Sequence, residues 1–350
     1  MTKKLCRFAK KNTMNIYGKT LEELQSFVLE QGYPKYTAEQ LANWMYKKHV
    51  TSFEHMTSLS KKVRQELSEN HAVGRQEPFK RTVSQDGTIK YLFHYEDKGY
   101  IEAVYIPEET RNTLCISSQA GCKYNCEFCM TGKQGFQANL SAGEILNQLT
   151  SLPERDNISN IVFMGMGEPL DNPDNVFNSL KLLTSEYGLN MSTKRITVST
   201  IGVLSGLKRF LDESECHLAL SMHSPFDDIR EEIMPAQKTN PLQDVLKIIR
   251  SHDFVYKRHF SVEYIMFKGI NDRNEDVNRI TKILHGLKCK VNLIRFHEIP
   301  NSRLKGTPDN EMEEFKNKLR KKGIAATVRK SRGQDIEAAC GMLSTKELNK

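Results

Sequence analysis

No stretch of this 350-residue chain approaches the run of about 20 apolar residues that a membrane-crossing helix requires, so no membrane partner is expected. The start, MTKKLCRFAKK, is basic but lacks an apolar core, which argues against a secretory signal. Tryptophan occurs once, and no segment is low in complexity. With 38% apolar residues, the chain can bury one large core plus a small satellite domain. Eight cysteines without an export signal are expected to stay reduced, and the chain is expected in the cytoplasm. Acidic charge is in short supply: 43 Asp+Glu stand against 51 Lys+Arg, a net charge of +8. Residues 1–70 hold 12 Lys+Arg and 7 Asp+Glu, so +5 of that excess sits in the first fifth of the chain. That sign suits a polyanionic partner, although an ordinary basic enzyme would look the same.

What is present gathers between Cys115 and Phe136, CISSQAGCKYNCEFCMTGKQGF. Cys122, Cys126 and Cys129 are spaced C-x3-C-x2-C. Cysteines this close would form strained, competing disulfides, so a bound metal or cluster is the better reading. A closed zinc site usually takes two C-x2-C pairs, and no second pair follows. Three thiolates suit a cubane 4Fe–4S cluster with one iron left open, while zinc or unligated cysteines remain alternatives.

Along the chain, residues 1–13 read as a basic tail. Residues 14–75 read as a small helical module. Thr20 with Glu23 forms a capping box ahead of Leu21, Leu24, Phe27 and Val28, Thr37 with Gln40 repeats that signal, and Ser60 precedes a third helix. Its Lys47, Lys48, Lys61, Lys62 and Arg64 either touch phosphate or form a solvated face. Residues 76–110 read as a β connection, with strands at Lys80–Val83, Ile89–Tyr95 and Tyr100–Ile106 and a turn at Asp86-Gly87. Glu102, in the last of these, reads as a surface carboxylate.

Residues 111–345 alternate. Strands are expected at Leu114–Ser117, Ile158–Met164, Ile196–Val198, Leu218–Met222, Val262–Met266, Val291–Phe296 and Ile324–Val328. Helices are expected at Ser141–Leu149, Asp174–Tyr187, Leu204–Leu211, Leu242–His252, Asn274–Leu287 and Glu311–Lys322. Six βα units predict an α/β fold, an open or closed barrel whose chemistry gathers at the C-terminal ends of its strands. The cysteine loop, Gly165–Pro169, Ser199–Thr200, Ser221–His223 and His297 all follow strands. Taken singly, Gly165-Met166-Gly167-Glu168-Pro169 is an ordinary glycine turn and His223 an ordinary structural histidine. Met164 and Met166 fit core and cofactor contact equally. Cys115 and Cys340 are either two apolar thiols or a pair meeting at the barrel mouth to form a transient bond. Cys6, Cys216 and Cys289 read as structural.

Together SSQAGCKYNCEFCMTGKQGF, FMGMGEPLDN, STIG, SMHSP and RGQDIEAACG resemble the radical S-adenosylmethionine enzymes, and among them the adenine-methylating RlmN and Cfr proteins. The likeness runs from about residue 20 to 345 in unbroken order, and Pro169 and TGKQGF sit nearer the RlmN type. The resemblance implies a partial (β/α)6 barrel with a 4Fe–4S cluster held by Cys122, Cys126 and Cys129. It places Gly167, Glu168, Ser199 and the segment Ser221, Met222 and His223 like contacts to S-adenosylmethionine. His297 stands where the family carries asparagine. It further implies that Cys340 carries a methyl group to adenine carbon 2, that Cys115 resolves the resulting crosslink, and that Glu102 accepts the ring proton. The implied partners are 23S rRNA at the peptidyl transferase centre, an anticodon-loop adenosine of some tRNAs, and an electron donor such as flavodoxin or ferredoxin. Rival readings are methylation at carbon 8, and a non-catalytic metal-bearing RNA-binding module.

Overall fold

A computed structural model describes residues 14–252 and 259–345. The tail expected over 1–13, with Cys6, lies outside the described residues. The N-terminal module opens with β1 (Met14–Asn15) and α1 (Leu21–Glu30). Thr20 and Glu23 close the capping box in both directions, Glu23 N–H donating to the Thr20 hydroxyl and Thr20 N–H to the Glu23 carboxylate. This seats Leu24, Phe27 and Val28 on the buried side. The second capping box does not form. α2 (Tyr36–Ala42) begins one residue earlier, Thr37 N–H donates to the Pro34 carbonyl, and Thr37 is buried inside the first turn. After α2 the chain runs through one wide helical turn, Asn43–Lys47. Ser60 caps α3 (Lys61–Asn70), and β2 (His71–Ala72) then pairs in parallel with β1 to close the module.

The next three strands are β3 (Lys80–Val83), β4 (Ile89–Tyr95) and β5 (Gly99–Pro107). They are antiparallel, and they are not a separate connection. β5 pairs with β6 (Asn112–Cys115), itself the first parallel strand, so all three extend the main sheet. In doing so they cover an edge that would otherwise present unpaired amides. Glu102, at the centre of β5, is therefore buried and not a surface carboxylate.

Next come β7 (Gln119–Gly121), α4 (Met130–Gln134), β8 (Phe136–Asn139) and α5 (Ala142–Thr150). They lead to β9 (Asn160–Phe163), α6 (Pro173–Thr184), β10 (Ile196–Thr200), α7 (Leu204–Glu213) and β11 (His217–Ser221). The chain then passes through α8 (Asp227–Ile233), α9 (Leu242–Ser251), β12 (Phe260–Met266), α10 (Asn274–Leu284), β13 (Cys289–Arg295), α11 (Asp309–Lys321) and β14 (Ala325–Val328). The ten-stranded sheet runs β14-β13-β12-β11-β10-β9-β6-β5-β4-β3. Strands β6 and β9 to β14 are parallel, with helical crossovers between them. This is an open barrel, and β14 ends the row without pairing back to β6. Every parallel strand therefore points its C-terminal end at one rim.

Candidate active site

A cavity of about 610 Å³ opens at that rim. Its wall includes Cys122, Cys126 and Cys129, and also Cys115 from the end of β6 and Cys340 from the segment after β14. The cysteine loop is pinched at its neck by the β7–β8 ribbon, where Gly121 lies opposite Phe136. α4 begins directly after Cys129, and the nearby amides of Gly132 and Thr131 work against the rise in its thiol. Burial raises all three thiols, Cys122 to about 12, and each is raised further by a neighbouring thiol. Such sulfurs become thiolates only against a strong positive charge, which bound iron supplies. Among the described residues no three His, Cys, Asp or Glu side chains form a set that would hold a single metal ion. A cluster offers each sulfur its own iron and so tolerates a wider spread. The donor set fits a cluster of that kind.

Beside this loop, Gly167 has φ +93°, and a Cβ there would fall 2.5 Å from the Gln119 Cβ. Only glycine lets the chain after β9 lie against the strand carrying the cysteine loop. The turn presents Glu168, whose carboxylate accepts from the Thr200 hydroxyl at 2.6 Å, Ile201 N–H at 3.0 Å and Leu170 N–H at 3.1 Å. Burial outweighs these donors and raises it to about 7. Ser199 and Ser221 share the cavity wall with hydroxyls 3.4 Å apart.

His223 holds φ +56°, a left-handed conformation that few side chains adopt. Its Nδ1 accepts from Ile265 N–H at 3.1 Å, so its proton is on Nε2. Burial, then the Arg230 charge, pulls it down to about 3, so the ring stays neutral. His297 lines the cavity with Nε2 2.8 Å from the Ser331 hydroxyl. Met222 is placed differently: its side chain is fully buried in the main apolar cluster and is not part of the cavity wall. Alternation along β11 explains this, since Ser221 faces the cavity and its neighbour faces away.

Cys115 and Cys340 are both free thiols. Burial, then the nearby Cys340, pushes Cys115 up to about 12. Cys340 lies within electrostatic reach of Cys129 as well. The segment carrying Cys340 is tied down on two sides. Met130 N–H donates to the Gly341 carbonyl, and the Thr131 hydroxyl to the Leu343 carbonyl, both at 2.8 Å. On the other side Gly333 N–H donates to Asp86, and Asp335 accepts from the Ser84 hydroxyl and Gln85 N–H. Glu102 pairs with Lys90 at 3.1 Å and accepts from Ser344 N–H at 2.9 Å. Burial raises its carboxyl, and Lys90 partly offsets that. Glu102 is thus placed beside the Cys340 segment and outside the cavity wall itself.

Three polar residues of the site were not singled out from sequence. Arg230 is fully buried in α8 and donates to the carbonyls of Ile201, Ser221, Met222 and Asn240, knitting two strand ends together. Its place on the buried stripe with Ile233 was the available signal. Buried Glu263 and half-buried Arg329 form an ion pair at 3.2 Å that faces the cavity. A lone carboxylate within the apolar run of β12 pointed to it. Burial works against the Arg329 charge, but Glu263 and the two thiols outweigh it.

Comparison with known proteins reaches the same region. Residues 116–280 match the model of the Radical SAM superfamily, and residues 14–73 that of the Ribosomal RNA large subunit methyltransferase N-terminal domain. The chain is 52% identical over 335 residues to a probable dual-specificity RNA methyltransferase RlmN of Phocaeicola vulgatus, covering 96% of each chain. It is 40% identical over 341 residues to the dual-specificity RNA methyltransferase RlmN of Syntrophus aciditrophicus, covering 96% of this chain and 98% of that one. The crystal structure of a radical SAM methyltransferase from Sphaerobacter thermophilus superposes with a TM-score of 0.87 at 35% identity, covering 94% and 98%.

Proposed function

The chain belongs to the RlmN family of radical S-adenosylmethionine RNA methyltransferases, and from that premise we propose that it methylates carbon 2 of adenosine, through a methylated Cys340, in 23S rRNA and in the anticodon loop of some tRNAs. The observation that carries this reading is the meeting of Cys115 and Cys340, from opposite ends of the barrel sequence, in one cavity with the three-cysteine loop. Membership of the superfamily implies a 4Fe–4S cluster and S-adenosylmethionine. When bound, they supply an electrophilic methyl group and a hydrogen-abstracting radical.

Cys122, Cys126 and Cys129 would hold the cluster. Gly167, Glu168, Ser199, Ser221, His223 and His297 line the wall where the cofactor would lie. Cys340 receives the methyl on its sulfur and holds it over the cavity. Carbon 2 of adenine is electron-poor and carries no acidic proton, so it cannot itself attack an electrophilic methyl group, whereas a carbon radical on the Cys340 methyl can add to it. Once the adenine is joined to that methylene carbon, the adduct gives up its unpaired electron to the redox partner and Glu102 takes the ring proton. The Cys115 thiolate then attacks the Cys340 sulfur, the bond between that sulfur and the methylene carbon breaks with its electron pair going to carbon, and the carbon takes up a proton to complete the methyl group. Methyladenosine leaves, and a Cys115–Cys340 disulfide remains, to be reduced by an external thiol. The adenine must leave its stack to enter a site this deep. We place the reaction in the cytoplasm, with flavodoxin or ferredoxin as the electron donor.

Anaerobic reconstitution followed by mass spectrometry of nucleosides from treated rRNA and tRNA tests the reading. The expected product is 2-methyladenosine. Exclusive 8-methyladenosine would overturn the choice of carbon, and a colourless protein carrying zinc alone would overturn the chemistry.

A further inference from the structure

Val104 lies directly opposite Cys115 in the β5–β6 register, so both side chains project to the cavity side of the sheet. Two residues along β5, Glu102 projects the same way, and after two more comes Tyr100. At about 3.4 Å per residue, Tyr100 stands roughly 14 Å beyond the level of Cys115, past the barrel mouth. His94 of β4 is its direct partner. Phe79, in the bend before β3, turns onto both. Ring centres are 4.4 Å apart for His94–Tyr100, 5.6 Å for Phe79–Tyr100 and 6.3 Å for Phe79–His94. Phe79 is 62% exposed, and His94 is exposed beside it.

Leaving such rings in water forfeits the gain of burying them, so this patch is not core. It is also small. A stable protein interface needs on the order of 800 Å² per partner, which three rings do not provide. A single nucleobase needs no more than one or two ring faces. Lys80 is exposed opposite Leu92 in the same register, and so on the same face, where a phosphate would pass. The ledge continues the face of β5 that carries Glu102, beyond the cavity wall at Cys115.

We propose that Phe79, His94 and Tyr100 form a stacking ledge for an unpaired nucleobase adjoining the target adenosine, with Lys80 beside its phosphate. The proposal rests on the RNA-methylating reading above. It adds the substrate feature the enzyme grips: an unpaired neighbour, held by its ring face and hence without strong preference for sequence.

The test uses the reconstituted full chain and an RNA stem–loop containing the target adenosine. Two further versions carry an abasic nucleotide on one or the other flank. Dissociation constants are read by fluorescence anisotropy for the unaltered protein, Tyr100→Ala and Phe79→Ala. Tyr100→Ala is expected to weaken binding of the intact loop roughly 5- to 100-fold. One abasic loop should weaken the unaltered protein by a similar factor and Tyr100→Ala by less than about 2-fold, because the stack is already lost. Cleavage of S-adenosylmethionine without RNA should be unchanged in both variants, which shows that they fold. Equal affinity in variant and unaltered protein overturns the ledge, and so does an abasic penalty of equal size in both. Absence of any RNA binding by the unaltered protein would instead remove the RNA reading beneath it.

Discussion

Glu168 has three hydrogen-bond donors on its carboxylate, yet burial still raises it to about 7. Near neutral pH the free protein therefore holds it partly protonated. A cation bound against it favours the carboxylate, so binding of S-adenosylmethionine should release a proton and tighten as pH rises through about 7. Calorimetry in buffers of differing ionisation enthalpy reads that proton directly. Glu168→Gln should abolish the release; a release that persists would locate the titrating group elsewhere. The two distant thiols have separable roles on the same reasoning. Cys340→Ala should end methyl transfer while leaving the cluster absorption intact. Cys115→Ala should leave an enzyme–RNA adduct on a denaturing gel, since no sulfur remains to release it. Methyl transfer by the first variant, or no adduct with the second, would remove the role in question.

Among the elements, the segment after β14 is held from outside the barrel. Asp86 accepts from Thr88 and Gly333 amides, and these hydrogen bonds outweigh burial to hold its carboxyl down at about 2. A group lowered in the folded state lends stability above its unfolded pKa and loses it as pH falls toward 2. The hold should thus be complete at neutral pH. Asp86→Ala combined with Asp335→Ala should free the segment, so that alkylation of Cys340 by iodoacetamide speeds up severalfold while methylation falls. An unchanged alkylation rate would mean that the contacts from α4 suffice. This clamp was not legible in the sequence, because periodicity reports which face of an element is buried and not which distant turn it meets. For the same reason the six βα crossovers could be read, whereas the joining of β3, β4 and β5 to the barrel sheet could not. β7, β8 and α4 were too short to leave a pattern, although the cysteines they frame were plain. The Thr37 capping signal was overridden by the preceding Pro34 turn.

At the scale of the molecule, the question is how a helical module and a barrel act on one substrate. They meet where Gly18 lies against Gly143 of α5. A Cβ on Gly143 would fall 2.3 Å from the Tyr17 carbonyl oxygen, and one on Gly18 2.1 Å from the Gly143 nitrogen. Tyr17 also donates to the Thr150 hydroxyl at 2.8 Å, and the Arg75 guanidinium bridges the His49 and Thr150 carbonyls. α5 in turn carries Gln148, whose side chain accepts from Ser117 N–H and donates to the Ser117 carbonyl just ahead of the cysteine loop. The module is thus keyed to the same helix that braces the site. Alanine at 143 would favour α5 as a helix by about 1 kcal/mol. The backbone overlap cannot relax within the helix, so the module must shift. Gly143→Ala should therefore keep the cluster and the cleavage of S-adenosylmethionine, but lower kcat/KM for RNA by about tenfold or more, the loss expected when substrate is held out of register. Limited proteolysis between residues 73 and 79, together with small-angle scattering, would report the displaced module. A variant with native scattering and full RNA turnover would show that the module and the barrel handle RNA independently.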